Sequence, residues 1–401
     1  MYSLHLNAEQ LEFRDTVRSF VEGEVKPVVL KADRLDADIR AVPLDVLDKA
    51  SQMGLRSLAL SEELGGVGAD ALTCCLVTEE LAAGDAGVAA VLAETSALAG
   101  TLFAAMNEAQ RGQFLKPFLD DDRYHLALAD HEPDTDTALG INYHRQAPSG
   151  RVRTKAVRQG DNFIVNGVKD NVANAPIAKL IAVEADTGEG IRVLLIPADA
   201  KGLTVNETAA PRWHHGSSGE VILQDCAVPA RNVLPAGANL RGEPGHGVPL
   251  AQAVNLGIGR AAYEAALDYA ALRVQGGRPI VEHQAIGGKL AEVAVRLEMA
   301  RNAVWQAAWA SDHPAAHADR SLPDLPLTQV AQVIVGEAVY RAVKDAAECF
   351  GAMGVMRDMP LQKYITDARI CLYSGDGASD AKLRIAEAIA GYRRPSLLAA
   401  E

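Results

Sequence analysis

A block of short segments rich in Val, Ile and Leu, lying within an otherwise Ala- and Leu-rich chain, constrains the fold most strongly. The segments are separated by Gly, Asp, Asn or Pro, which is typical of strands joined by tight connections. They are HLALAD (125–130), NFIVNGVK (162–169), KLIAVEA (179–185), IRVLLIP (191–197), LTVNE (203–207) and EVILQDCAVP (220–229). Their spacing is typical of an antiparallel barrel or sandwich, so we predict a β domain at this place in the chain.

Helical patterns flank the strand-like block on both sides. Apolar residues recur at helical spacing from Leu11 to Val25, where Asn7 and Gln10 are suited to form a capping box, and Ala-rich helical runs fill 71–106. Four further helical stretches are predicted after the block, at 250–274, 282–310, 327–350 and 380–392. The chain is therefore predicted to be an α+β protein with a helical domain at 1–120, the β domain at 121–233 and a helical bundle at 234–401.

Composition and charge exclude several classes of partner. The net charge of −13 argues against a nucleic-acid partner, because binding to phosphates requires a surplus of Lys and Arg. No apolar run reaches the length of a membrane span, so no membrane association is expected. The five cysteines lack metal-ligand spacing, and the N-terminus lacks the basic and apolar regions of a secretion signal. These features predict reduced thiols and a cytoplasmic location.

The adjacent histidines His214 and His215 are the most conspicuous candidates for metal ligands. Side chains of neighbouring residues in a strand point to opposite faces, and no set of carboxylates at ligand spacing lies nearby in the sequence. We therefore predict that the chain binds no metal ion.

Seven segments, in order along essentially the whole chain, resemble the acyl-CoA dehydrogenase family. They are NEAQRGQFLKPFLDDDRYHLALADHEP, VNGVKDNVANA, VILQDCAVPARNVL, GIGRAAYEAALDYAALR, VEHQAI, FGAMGV and TDARICLYSGDGAS. The resemblance implies an N-terminal helical domain, a central antiparallel β domain and a C-terminal four-helix bundle.

The resemblance also implies a function, that of an FAD-dependent oxidoreductase in fatty acid or lipid metabolism. Members of the family remove the α-proton of an acyl-CoA thioester with a glutamate in a YEGT-like turn, and the β-hydrogen leaves as hydride to flavin N5. Neighbouring subunits complete each FAD site, so a homo- or hetero-tetramer is implied. An electron-transfer flavoprotein is implied as the redox partner.

The segment at the family's catalytic turn reads YSGDGA here, residues 373–378. Aligned without a gap, Gly375 takes the place of the base, and a shift of one residue puts Ser374 there. Neither side chain can remove a carbon-bound proton. Asp376 is the carboxylate closest to this position, and it is the candidate catalytic base. The alternative is that Asp376 is a turn or capping residue, because Asp between glycines suits a loop before a helix.

Positions that contact the flavin in the family are also changed. The Trp and Thr of the family's Trp-x-Thr motif correspond to Asn171 and Ala173, and the Thr before Glu-Pro corresponds to His131. The Gly-Ser pair that follows corresponds to Asp136 and Thr137, and Thr137 still offers a hydroxyl. His131, Thr137, Asn171 and Ala173 are the candidate residues for this side of the FAD site.

A second group of positions matches the residues that contact the FAD diphosphate of a neighbouring subunit. Arg273 is retained and can pair with phosphate in a bidentate way. The glutamine before the family's FGG turn corresponds to Glu348, which would repel a diphosphate unless it is paired. Gly351 and Gly377 are the glycines whose backbone can come close to the ligand. We predict that these four residues, 273, 348, 351 and 377, contact the cofactor.

Three interpretations of these substitutions remain open. The chain is either an active dehydrogenase with an unusual site or a non-catalytic subunit that completes the FAD site of a partner in a heteromeric enzyme. A third possibility is a flavin enzyme of the same fold that catalyses a different reaction, since a fold alone does not determine reaction type.

Overall fold

The structure is a computed structural model of the 401-residue chain. It describes residues 5–31, 33, 35, 41–133, 152–208, 213–241, 247–319, 322, 325–356, 358–372 and 377–391. In order along the chain, the described residues form a helical region, a β-sheet and a second helical region.

The N-terminal region is helical. Its helices are α1 (Ala8–Phe20), which continues through a π-helical turn (Val21–Val25), α2 (Lys26–Val29), α3 (Leu44–Gln52), α4 (Ala71–Gly84), α5 (Ala86–Ala105) and α6 (Glu108–Asp120). The predicted capping box of Asn7 and Gln10 is confirmed, with Gln10 N donating to Asn7 Oδ1 at 2.8 Å. Asp70 and Asp85 cap α4 and α5 by accepting a hydrogen bond from the backbone N–H of Thr73 and of Val88, which explains where these two apolar helices begin.

The central region is a single, mostly antiparallel sheet. Its strands are β1 (His125–Ala129), β2 (Lys155–Gln159), β3 (Asn162–Ala173), β4 (Ala178–Asp186), β5 (Ile191–Pro197), β6 (Leu203–Glu207) and β7 (Ser218–Pro229). They follow the order β1–β4–β2–β3–β7–β6, with β5 also paired to β4. The pair β1–β4 is parallel, and it places residue 129 beside residue 183.

The C-terminal region is again helical. It contains α7 (Leu250–Leu272), a short hairpin of β8 (Val274–Gln275) and β9 (Arg278–Pro279), α8 (Gln284–Asp312), α9 (Leu327–Cys349), α10 (Leu361–Cys371) and α11 (Gly377–Ala390). The four helices predicted here are present within a few residues of the expected bounds. The sequence patterns did not predict α10, so the described part of this region has one helix more than a four-helix bundle.

Helix α5 joins the two kinds of structure. Its N-terminal half, around Val88 and Leu92, packs in one core with α4 and α7, whereas Leu98 and Leu102 pack against the sheet with Leu126 and Leu180. The other face of the sheet has its own apolar cluster. The N-terminal helices therefore form a common core with the C-terminal helices and also cover the sheet.

The expectation that no segment is long enough to cross a bilayer was wrong for α5. This helix has 20 residues and is apolar enough to cross a bilayer, because Ala, Leu and Val continue through it with a single charged residue, a Glu. In the folded chain, 61% of its most apolar stretch is buried inside the protein. Helices that are apolar on all sides are also typical of the interior of large soluble proteins.

Candidate active site and cofactor pocket

A chain of buried charged residues joins the three regions of the protein. Lys363 of α10 donates to Asp367 Oδ2 at 2.9 Å and lies 3.1 Å from Asp85 Oδ2 at the start of α5. His215 Nδ1 lies 2.7 Å from the same Asp85 oxygen, and His214 Nδ1 lies 3.0 Å from Asp367 Oδ1. All five side chains are almost completely buried. We call these residues, 85, 214, 215, 363 and 367, the junction network.

The charges within the junction network stabilise one another. Burial alone would raise the pKa of Asp85 and Asp367, but the Lys363 ammonium between them, with the neighbouring histidines, lowers both pKa values below the usual range. Burial alone would lower the pKa of Lys363, and the two carboxylates raise it instead. Each of these three charges is therefore held in its ionised form by its partners, and the contact between Lys363 and Asp85 links the C-terminal region to the N-terminal region.

A close backbone approach makes this junction possible. Gly87 lies against the 214–216 loop, and a Cβ at this position would come within 2.1 Å of the His214 carbonyl oxygen. His215 has a φ of +59°, a conformation in which His is more common than most residues with a Cβ. The adjacent histidines therefore lie in a loop before β7 and face two different carboxylates, rather than opposite faces of a strand as expected. Among the described residues, no group of three or more His, Cys, Asp and Glu is arranged to hold a metal ion.

The junction network fixes the helix that leads to the candidate catalytic segment. Helix α10 ends at Cys371, and α11 begins at Gly377, whose φ is +76°. Asp376, the candidate base, and Thr137, a candidate flavin contact, lie outside the described residues, so their predicted roles remain predictions.

The end of β1 carries the first flavin-side candidate, His131. Its Nδ1 atom lies 2.6 Å from Asp170 Oδ1 on β3, and both side chains are about one third exposed. The preceding Asp130 pairs with Arg241 on the segment before α7, with Arg241 Nη2 donating at 2.9 Å. The carboxylate of Asp130 is therefore neutralised within the chain, as a site for an anionic cofactor requires.

Glu132 provides the buried anchor of this corner. It accepts hydrogen bonds from Lys169 Nζ at 2.8 Å, Thr154 Oγ1 at 2.7 Å and the Thr154 backbone at 3.0 Å. Burial alone would raise the pKa of Glu132, but these hydrogen bonds lower the pKa to about 2. Glu132 follows the end of β1, and Lys169 lies on β3. The ion pair between Glu132 and Lys169 therefore holds the neighbouring His131 against the sheet.

The positions that replace the family's Trp-x-Thr motif lie at an irregularity of β3. Asn171 is exposed and has a φ of +50°, and the pairing with β7 shifts register between Lys169 and Val172. Asn is among the residues that adopt this conformation most readily, which gives a local reason for its presence. Ala173 is half-buried and pairs with Ser218. Neither side chain can provide the aromatic wall expected from the resemblance.

Three further candidate residues, Arg273, Glu348 and Gly351, line an open pocket of about 690 Å³ on the C-terminal helices, whereas Gly377 does not line it. It is lined by Tyr269, Arg273, Gln275, Gly276, Ile280, His283, Ile286 and residues 348–353. Tyr269 and Phe350 stack in one wall, with ring centroids 4.3 Å apart. We call this the C-terminal pocket.

The charges of the C-terminal pocket suit a phosphate ligand. Arg273 follows the last residue of α7, is exposed and forms no ion pair with the residues that the structure describes. Glu348 forms an ion pair with Lys289 of α8. Gly351 has a φ of +56° at the turn after α9, a conformation that glycine adopts without strain.

The structure thus divides six of the candidate residues into two groups. Arg273, Glu348 and Gly351 come together in the C-terminal pocket, whereas His131, Asn171 and Ala173 lie on the sheet and do not line that pocket. The described residues fit the diphosphate part of FAD best, because the pocket combines an unpaired guanidinium, a glycine turn and an aromatic wall. Arg273 would hold the diphosphate there.

Comparison with known proteins covers most of the chain. Three models of one family match in order: acyl-CoA dehydrogenase N-terminal domain at residues 7–122, middle domain at 146–226 and C-terminal domain at 246–390. The chain belongs to the acyl-CoA dehydrogenase family. This membership confirms the predicted fold, FAD as the cofactor, and oxidation of an acyl-CoA thioester as the class of reaction.

Individual acyl-CoA dehydrogenases resemble the chain over nearly its full length. A probable acyl-CoA dehydrogenase of Bacillus subtilis, YngJ, is 29% identical and covers 94% of this chain and 97% of its own length. The structure of butyryl-CoA dehydrogenase from Megasphaera elsdenii has a TM-score of 0.80 at 25% identity, covering 96% of this chain and 98% of its own. A structure described as an electron transferring flavoprotein of Acidaminococcus fermentans has a TM-score of 0.84 at 25% identity, covering 96% and 99%.

Sequence reasoning missed the junction network of this acyl-CoA dehydrogenase. Neither Lys363 nor Asp367 was predicted to have a role of its own, although Asp367 lies in the segment TDARICLYSGDGAS. An available signal was their i, i+4 spacing, which places Lys and Asp side by side on a helix. Asp85 and the two histidines are distant in sequence, and no local pattern links them.

Proposed function

We propose that this chain dehydrogenates an acyl-CoA at an FAD site formed by two copies of the chain. The flavin side would lie at the corner of the sheet around His131 and Asn171 of one copy. The diphosphate would be held by Arg273 in the C-terminal pocket of the adjacent copy. The observation that carries this proposal is the C-terminal pocket, since an open pocket with an exposed, unpaired arginine is suited to an anionic ligand.

Asp376 is the residue that we propose as the base for the α-proton. It is the one carboxylate in the segment 373–378, and this segment follows a helix that the junction network fixes to the other two regions. A general base has to be held within hydrogen-bond reach of the proton it removes, so the anchoring of α10 supports this role. FAD, when bound, accepts the hydride equivalent from the substrate.

The assembly, partner and location are proposed on more general grounds. A tetramer is proposed because the C-terminal helices expose apolar side chains, among them Val295 and Met299 of α8, which are 62% and 64% exposed. An electron-transfer flavoprotein is proposed as redox partner, supported by the similarity to the Acidaminococcus fermentans structure. A cytoplasmic location and a role in fatty acid or lipid metabolism are also proposed, and the five free buried cysteines agree with a reducing compartment.

A second candidate function is that of a non-catalytic subunit in a heteromeric acyl-CoA dehydrogenase. The observation that favours it is the contrast between the two halves of the site. The C-terminal pocket is open and cationic, whereas the sheet corner carries Asn171 and Ala173 in place of an aromatic wall and a hydroxyl. Such a chain would supply Arg273 to the FAD of a partner and bind little flavin itself.

One experiment separates these functions. The purified protein is mixed anaerobically with a series of acyl-CoA thioesters, and the loss of flavin absorbance is followed for the wild type and for Asp376→Asn. The first proposal predicts that the variant keeps its flavin but loses reduction by substrate. Wild-type reduction by the variant would refute the role of Asp376. Flavin that is retained only after co-expression with a second acyl-CoA dehydrogenase chain would support the non-catalytic function.

A further inference from the structure

The C-terminal pocket contains a charge of the wrong sign for its proposed ligand. Among the described residues that line it, Arg273 and Glu348 are the two that carry a full charge at neutral pH. A carboxylate beside a diphosphate repels it, so Glu348 would offset the attraction of Arg273 and leave the pocket without net positive charge. An explanation of cofactor binding therefore has to account for Glu348.

Lys289 provides that explanation. It lies on α8, outside the pocket lining, and its ammonium contacts the Glu348 carboxylate on α9. The hydrogen bond and charge of Lys289 lower the pKa of Glu348, and the same contact with Glu348 raises the pKa of Lys289. Both groups therefore remain ionised as a pair at neutral pH.

The charged residues around the pair show that Lys289 is the specific partner of Glu348. Asp345, one turn before Glu348 on α9, is already paired with Arg296. Lys344 also lowers the pKa of Glu348, through its charge alone, and forms no ion pair with it. With Lys289 present, the pocket and the pair together carry a net charge of about +1, from Arg273, and without it they carry about zero.

We propose that Lys289 is a positioning residue for the cofactor diphosphate. It binds the Glu348 carboxylate and holds it as a neutral pair, so that Arg273 determines the sign of the pocket. This inference rests on the proposed function, because it takes the diphosphate of FAD as the ligand of the C-terminal pocket.

The size of the effect follows from Coulomb's law. Two unit charges about 7 Å apart in water repel by an amount that weakens binding about threefold. For the two charges of a diphosphate, an unpaired Glu348 weakens binding between about fivefold and tenfold. The effect should decrease as salt is added, because the pair and the ligand are accessible to solvent.

The test compares binding of FAD, and separately of ADP, to the flavin-free oligomer at low ionic strength by titration calorimetry. Lys289→Met should raise the dissociation constant about five- to tenfold, and Lys289→Arg should leave it near the wild-type value. In Lys289→Met/Glu348→Gln the carboxylate is absent, so affinity should return. The matched control is Lys382→Met, which breaks an exposed Lys–Glu pair with Glu337 outside the pocket and should change nothing.

The possible results are distinct. The role of Lys289 is overturned if Lys289→Met binds FAD as tightly as the wild type does. It is also overturned if the double variant loses as much affinity as Lys289→Met. In both cases, FAD binding by the wild type leaves the proposed function intact. A wild-type protein that binds neither FAD nor ADP overturns both. Melting temperatures of the four variants within about one degree of each other exclude a general loss of folding as the cause of a binding defect.

Discussion

Replacement of Lys363 by Met should destabilise the protein more than the loss of any exposed ion pair. Lys363 is 1% exposed and lies between Asp85 and Asp367, which are both fully buried. Met has a similar length, so the main change is the loss of the positive charge. Two buried carboxylates then remain without their shared cation, and breaking a buried pair in this way costs about 3–5 kcal/mol.

The pH dependence of this loss has a definite sign. The pKa values of Asp85 and Asp367 are lowered in the folded state. The stability that the two carboxylates contribute is therefore complete above the pKa of an unfolded Asp, about 4, and is lost as the pH falls through their folded pKa values. The pKa of Lys363 is raised, so its contribution is complete throughout the neutral range. Without Lys363 the two carboxyl pKa values should rise. The difference between wild type and variant should therefore be largest at neutral pH and decrease below about pH 5.

The assay is thermal unfolding of the wild type, Lys363→Met and Lys382→Met between neutral and mildly acidic pH. With an unfolding entropy of about 2.1 cal/mol/K per residue, a loss of about 4 kcal/mol lowers the midpoint of the 401-residue chain by about 5 °C. Lys382→Met removes an exposed pair and should lower it by less than about 1 °C. Equal losses in the two variants, or a difference that does not change with pH, would refute the account of the junction network.

Three other properties are predicted from the described contacts. Glu132→Gln leaves the charge of Lys169, which is 0% exposed, without its anion, and should cost about 3 kcal/mol or more in urea unfolding. In the wild type this contribution is complete above the unfolded Glu pKa of about 4 and is lost as the pH falls from there through the folded Glu132 pKa of about 2. Phe118→Ala opens a cavity in the core beside the sheet and should cost about 3–5 kcal/mol, whereas Leu272→Ala, at a side chain 82% exposed, should cost less than about 0.5 kcal/mol. A thiol reagent at neutral pH should react with none of the five cysteines of the native protein and with all of them after denaturation. The reason is that every thiol is buried and that burial raises the pKa of each thiol. Rapid labelling of the native protein would contradict this prediction.

Much of the fold could be predicted from local pattern. Runs of β-branched and apolar residues between turn residues gave the positions of β1 and β3–β7, and helical periodicity gave the long C-terminal helices within a few residues. The strand Lys155–Gln159 was missed because its sequence, KAVRQ, buries only Ala156 and shows no apolar alternation. Helix α10 was missed because its short sequence was considered only for its resemblance to a family motif.

The candidate site could be predicted only in part, for a physical reason. Arg273 and Glu348 were found because they occupy recognisable positions in a family pattern, and the structure brings them to one pocket. The pairing of Glu348 with Lys289 depends on how two helices pack, because the partners are 59 positions apart in the sequence. The contacts of His214 and His215 with carboxylates span 153 and 130 residues. Such contacts are determined by tertiary packing and leave no local signal.

The central claim is that this acyl-CoA dehydrogenase binds its own FAD across two copies of the chain and reduces it with substrate. The most direct test is the visible absorbance spectrum of the protein purified alone, with added FAD, before and after anaerobic addition of acyl-CoA thioesters. The account predicts a flavin band with about one FAD per chain that bleaches with at least one thioester. Absence of a flavin band, even after FAD is added, would contradict the claim.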